Sequence, residues 1–331
     1  MKCKKEVMGL AALMVLFFHF YIAFGNSPFE TFVYRSTYIG VDMFFFVSAY
    51  SIASREKKTK FKFGEFIFNR LELIYVPFVV LSLINTIVHK KEISTFFQNI
   101  FGVEFYQRGG GSYLWYFIGI MLIYLMVPFF FLVKKHLKVL GFPVLIGFWI
   151  LLSVILWQGL NYGKMFILIN RLPIFFIGLY YDELIRDNLK KINKIYVVLI
   201  DIALLVSGVI LVNKFGILYR VNKPFPDMYY VIAIPLTLGV IMLIDIITTS
   251  LESKYKSVVL KFIGGITLEL YGLQMTFGYD IERFLLKYVP VNQLAFVGTV
   301  IALILLAVVF NQILINARKL KKLIPLKAKE N

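Results

Sequence analysis

The chain of 331 residues has one cysteine, three histidines and three tryptophans. With Cys3 alone, an internal disulfide and a cysteine-based metal site are both excluded. His19, His89 and His136 lack the helical spacing of metal-ligand pairs, so no metal site is expected. Charge is scarce as well. Charged residues make up 17% of the chain, no more than the aromatics. The polar stretches between apolar runs are short and leave no room for a soluble basic domain. Nucleic-acid binding is therefore excluded in spite of a net charge of +17. No Gly-x-Ser-x-Gly nucleophile turn is present. Gly109-Gly110-Gly111 lacks the lysine and the following helix of a phosphate-cradling loop. No internal repeat or low-complexity tract is found.

What the chain holds in excess is apolar sequence. The hydrophobic share is 60%, against about 45–50% in soluble proteins. Runs long enough to cross a bilayer, about 20 residues each, recur ten times. They lie near 7–24, 36–54, 73–89, 113–133, 139–157, 165–181, 195–213, 228–248, 258–281 and 293–316. The pattern predicts an all-α fold, a polytopic transmembrane helix bundle of about ten spans. Residues 1–331 are read as a single integral membrane domain. The ninth run opens on Gly264-Gly265 and is interrupted by Glu269, Gln274 and Asp280, so a break is expected there. The first run follows Lys2, Lys4 and Lys5 and leads to Ala23-Phe24-Gly25, in the manner of a signal peptide. It is too long for such a segment and carries His19, so it is expected to stay as a span.

The basic residues set an orientation. If the termini and the even-numbered connections share one side, that side carries 25 of the 36 Lys and Arg residues. The richer side is expected to be cytoplasmic, with both termini inside the cell membrane. Its loops then face anionic lipid headgroups, which accounts for the net charge.

Against this background each ionisable residue inside a run marks a candidate site. His19 is read as lying about halfway along the first run, and histidine is suited to take and return a proton near neutral pH. Asp42 lies at the start of the second run, in Gly40-Val41-Asp42-Met43-Phe44-Phe45-Phe46. Arg70, just before the third run, could serve an anionic ligand arriving from the cytoplasm. Tyr113, Trp115 and Tyr116 open the fourth run and offer flat faces to a ring at the outer surface. Arg171, inside the sixth run, needs a partner. Asp201, Asp245 and Glu269 could each pair with it or line a cavity. His89 and His136 are assigned no role.

Taken in order, these runs resemble the acyltransferase 3 family of membrane acyltransferases. The resemblance rests on Gly9-Leu10-Ala11-Ala12-Leu13 leading to His19 and on Gly40-Val41-Asp42 with Phe44-Phe45-Phe46-Val47-Ser48. It continues through Arg70 to Pro77, Leu114-Trp115-Tyr116-Phe117, and Arg171-Leu172-Pro173 with Gly178. It implies O-acylation, of O-acetyl type, of a cell-envelope carbohydrate. The donor would be a cytoplasmic acyl-coenzyme A, bound as a substrate with no tightly held cofactor. The family's first-helix histidine, its acid-base residue, maps onto His19, and its second-helix aspartate onto Asp42. The chain departs from the family at three places. Met8 replaces a basic residue, the paired arginines are reduced to Arg70, and the late Ser-Tyr-x-x-Tyr-Leu-x-His pattern reads Leu268-Glu269-Leu270-Tyr271-Gly272-Leu273-Gln274.

Two other functions fit the same residues. One is a transporter or flippase for a lipid-linked sugar or acyl carrier, which need not depend on His19. The other is a non-catalytic partner of a polysaccharide synthase, in keeping with the lost basic positions.

Overall fold

The computed structural model describes residues 1, 3–20, 28–59, 61–215, 225–250, 257–289 and 291–323. Ala23-Phe24-Gly25, Lys60 and residues 324–331 lie outside them. The described residues fold as helices joined by turns, with no strand among them. In chain order the helices are α1 (Lys4–Phe20), α2 (Pro28–Thr37), α3 (Ile39–Glu56), α4 (Phe63–Arg70) and α5 (Val76–Val88). Short α6 (Ile93–Ile100) and α7 (Val103–Arg108) follow. Then come α8 (Trp115–Leu137), α9 (Gly141–Val154), α10 (Phe166–Ile169), α11 (Leu172–Tyr181), α12 (Asp187–Leu189) and α13 (Lys194–Phe215). The last are α14 (Tyr229–Ile232), α15 (Ile234–Ser250), α16 (Val258–Ile263), α17 (Thr267–Leu285) and α18 (Asn292–Leu323).

The ten apolar runs fall on these helices. Among the described residues, seven helical stretches are long and apolar enough to cross a membrane, judged by length and composition. One of the seven, Trp115–Gly159, holds the fourth and fifth runs together. The first run forms a helix of 17 residues. The ninth is broken where its glycines predict, between α16 and α17.

The ends of the helices sort by charge. At one end, Lys57 pairs with Asp182 and Glu183 at 3.0 Å each, Lys134 with Glu183 at 3.3 Å, and Arg186 with Asp182 at 3.0 Å. The Met1 amino group and Arg186 both donate to the Tyr50 hydroxyl there. At the other end, His89 meets Asp280, Arg35 donates to the Asn213 carbonyl, and Asn170 donates to the Pro226 carbonyl. The even and odd connections are thus gathered at opposite ends, called below the basic end and the far end.

Two glycines bring α3 into the centre of the bundle. A Cβ on Gly40 would lie 2.6 Å from the Ala11 carbonyl oxygen of α1. A Cβ on Gly178 would lie 2.6 Å from the Phe46 carbonyl oxygen. Without side chains at these points, α1 and α11 close directly on the α3 backbone. Such small-residue contacts drive helix association where lipid offers no hydrophobic gradient. Phe45, Phe46, Phe175 and Phe176 are fully buried around them. Between α4 and α5 the chain widens into a π turn over Leu71–Tyr75. Pro77 follows, and its missing N–H leaves the Leu73 carbonyl without the usual helical partner. The widened turn carries Arg70 at its start.

Candidate functional site

The far-end half of the bundle holds a buried ion pair. Arg171 Nε lies 3.1 Å from Asp42 Oδ1, and the two side chains are 3% and 1% exposed. The chain sets them there by simple means. Asp42 is in the first turn of α3, and Arg171 is the residue before α11, whose first turn contains Pro173. The guanidinium also donates to the Ile167 carbonyl at 2.7 Å. Its plane sits 3.6 Å over the Tyr230 ring and 5.1 Å from the Trp115 ring. The Asp42–Arg171 contact is close but not aligned as a hydrogen bond, and neither Asp42 oxygen has an aligned donor. A carboxylate taken out of water with so few donors is costly, and the facing guanidinium is what offsets that cost.

Arg171 therefore has Asp42 as its partner, and none of the three acids that the sequence offered. Asp245 accepts from the Cys3 thiol at 3.2 Å near the basic end. Asp201 is buried with Oδ1 unpaired. Glu269 lines a cavity.

That cavity, of about 390 Å³, runs through the basic-end half of the bundle. Val41, Phe44, Ser48 and Ser51 of α3 form one wall, and Thr267, Glu269 and Tyr271 of α17 form another. Arg70, Tyr116 and Arg318 complete it. From Ser51 to Val41 is ten residues of helix, or about 15 Å. This length is about half the thickness of a hydrocarbon core of about 30 Å. Its inner end, at Val41 and Tyr116, is one residue from Asp42 and one from Trp115. Beside its outer end lies a second cavity of about 460 Å³, whose lining includes Arg55, Lys58, Lys62 and Arg70 together with Glu56 and Glu65, with Lys62 paired to Glu65 at 2.9 Å. The two share Ser51 and Arg70. Arg70 packs against the rings of Phe66 and Tyr124, each 5.2 Å from its guanidinium carbon. The Tyr124 hydroxyl bonds Ser48 at 2.5 Å. A shaft of mixed polar and apolar lining beside a vestibule of net positive lining can hold a long anionic molecule with its charged part at the surface.

The remaining residues named from the sequence are placed as follows. Tyr116 lines the shaft and packs edge-on against Phe45 and Tyr271. Trp115 stands one residue further out, facing Arg171. It follows Leu114, a fully buried residue at φ +52°, which turns the chain sharply into α8. Tyr113 bonds Thr276 at 2.6 Å and the Leu81 carbonyl at 3.3 Å. Its hydroxyl ties α8 to α5 and α17 rather than facing open space.

His19 lies on the far-end stretch of α1, half-buried, with its ring edge-on to Phe18. Among the described residues no hydrogen bond reaches the imidazole. It lies outside the shaft. Gly40 meets α1 at Ala11, Met14 and Val15, and the two helices run antiparallel. His19 is therefore displaced from Asp42 by about 12 Å along the bundle axis, beyond direct hydrogen bonding. Asp42 orients Arg171, not His19. His19 nonetheless shares one face of α1 with Met8, Ala12 and Val15, spaced i, i+4, i+7 and i+11. Met8 lines the shaft, so the histidine faces the same gap between α1, α3 and α17 further out.

Sequence reasoning missed Tyr230, Tyr124, Tyr271 and Arg318. By sequence Tyr230 and Arg318 lie near the ends of their runs and Tyr124 and Tyr271 are uncharged residues inside theirs, and only packing brings them to the site. A family model described as an acyltransferase domain matches residues 9–312. No curated protein and no solved structure matches the chain.

Proposed function

Since the chain belongs to the acyltransferase 3 family and is a membrane acyltransferase, a transferase of groups other than aminoacyl, we propose that it acts as an O-acyltransferase. It would take an acetyl or other acyl group from acyl-coenzyme A at the cytoplasmic face and pass it to a hydroxyl of a cell-envelope carbohydrate. The joined cavities carry this reading. The vestibule presents Arg55, Lys58 and Arg70 to the donor phosphates, while Lys62 is held by Glu65. The shaft accepts the thin pantetheine arm, whose amides suit its mixed polar and apolar walls, and brings the thioester to the level of Val41 and Tyr116. The basic end would then be cytoplasmic, in line with its excess of Lys and Arg.

In this mechanism His19 is the general base for the acceptor hydroxyl, approaching from the far end. Positioning of the two substrates supplies the remainder of the acceleration. Asp42 holds Arg171, and the Arg171–Trp115–Tyr230 stack forms the inner wall against which the acyl group stops. On the far-end side of this wall Trp115 would offer its ring to the acceptor sugar, while Tyr116 lines the donor arm. Membrane lipids surround the bundle, and nucleic acid has no part.

The test is mass spectrometry of envelope glycans from cells with and without the protein, joined to thiol release from acetyl-coenzyme A by the purified protein in nanodiscs. A mass gain of one acyl group per modified sugar, with matching thiol release, is expected. Unchanged glycans and no thiol release would defeat the reading in favour of a transporter. Cysteine labelling that placed a far-end loop in the cytoplasm would reverse the orientation.

A further inference from the structure

The shaft ends at Tyr271, and the next outward residue on the same face of α17 is Gln274. Thr267, Tyr271 and Gln274 are spaced i, i+4 and i+7 and so form one stripe. The first two line the shaft. Gln274 is 1% exposed, and its amide nitrogen has no hydrogen-bond partner. A buried primary amide left unpaired is costly, and a hydrophobic residue there would avoid that cost. The position is also telling in depth. Phe20 of α1 packs on Gly278, four residues outward on the same stripe of α17. The two helices run parallel here, so Gln274 is level with Leu16. His19, three residues further along α1, is then about 4.5 Å further out along the axis. The unpaired donor thus stands between the end of the shaft and the imidazole.

We infer that Gln274 is a catalytic residue that donates its Nε2–H to the carbonyl oxygen of the acyl group at the end of the shaft. The inference rests on the acyl-coenzyme A reading above. The acceptor oxygen attacks the thioester carbonyl carbon, and a C–O bond forms. The hydroxyl proton passes to the His19 ring. Negative charge collects on the former carbonyl oxygen, to which the unpaired Gln274 Nε2–H would donate without first giving up another partner. The C–S bond then breaks with its electron pair on sulfur, and His19 returns the proton to the thiolate. The products are an ester and free coenzyme A thiol. No group of the protein is left changed.

The experiment measures thiol release from acetyl-coenzyme A in nanodiscs, with de-esterified envelope glycan as acceptor, for the parent, Gln274→Met and Gln274→Glu. Methionine keeps the length and removes both amide atoms. The expected loss in kcat is about a hundredfold or more, with KM for acetyl-coenzyme A nearly unchanged. The thermal midpoint of Gln274→Met should equal or exceed that of the parent, because an unpaired buried amide is gone. Gln274→Glu, whose buried carboxyl donates only while protonated, should lose kcat progressively as pH rises. A Gln274→Met protein that folds and keeps more than a third of the parent kcat would overturn the inference, as would a loss confined to KM. Should Gln274→Met prove unstable, Gln274→Leu, which also removes the donor, decides by the same criteria. A parent that releases no thiol overturns the acyl-coenzyme A reading itself. An active parent with indifferent variants overturns only the role of Gln274.

Discussion

Replacing Asp42 by leucine removes the counter-charge of a guanidinium that is 3% exposed. What stays beside Arg171 is the Ile167 carbonyl and the Tyr230 face. A ring face under a desolvated cation contributes on the order of 2 kcal/mol and was already present in the parent. It therefore cannot replace the lost carboxylate. Breaking a buried pair by removing one partner costs about 3–5 kcal/mol, which corresponds to a fall in melting temperature on the order of 10 °C. Removing both charges is a different perturbation. In Asp42→Leu combined with Arg171→Met, no charge is left buried, and stability should return to within about 1 kcal/mol of the parent. The assay is a thermal scan by tryptophan fluorescence of all four proteins in one detergent, closed as a double-mutant cycle. A coupling of at least about 2 kcal/mol is expected. Additive single losses, or an Asp42→Leu protein as stable as the parent, would show that the pair is not what holds Arg171 in the bundle. Activity should remain absent in the double variant even where stability returns, because the inner wall of the shaft is then rebuilt from different groups.

Three further outcomes are expected. Arg70→Ala should raise KM for acetyl-coenzyme A about tenfold to a hundredfold, the value of a charge-assisted contact, with partial rescue by Arg70→Lys. Equal donor affinity in parent and variant would remove Arg70 from the donor site. His19→Ala and His19→Gln should both lose acyl transfer by about a hundredfold or more with unchanged melting temperature, and substantial activity in the glutamine variant would show that His19 only shapes the gap. Cys3 is 1% exposed, and burial, with the nearby Asp245 carboxylate adding to it, pushes its thiol up to about 12. The thiol stays protonated at pH 8. Its alkylation in the folded protein should be about a thousandfold slower than that of a free thiol and should become rapid on unfolding. Fast labelling of the native protein would contradict the burial of the N-terminal segment.

The fold class was legible because membrane spans are written in composition. A run of about 20 apolar residues can satisfy its backbone only as a helix, and lysines and arginines mark the connections that share a side. Gly264-Gly265 announced the break in the ninth run for an equally local reason. The candidate residues were legible one by one, since an ionisable group inside an apolar run stands out whatever surrounds it. Their partnerships were not. Asp42 and Arg171 are separated by more than a hundred residues, and nothing along the chain distinguishes Asp42 from Asp201, Asp245 or Glu269 as the counter-charge. Gly40 and Gly178 decide the matter, by letting α1 and α11 close on α3 so that one carboxylate faces one guanidinium. The shaft and its vestibule are likewise products of packing, because a cavity is defined by what neighbouring helices fail to fill. The sequence by itself determined that the chain crosses a membrane as helices and which side chains had to be answered for. Tertiary structure decided which of them meet, since helix faces pair through contacts that linear spacing does not encode.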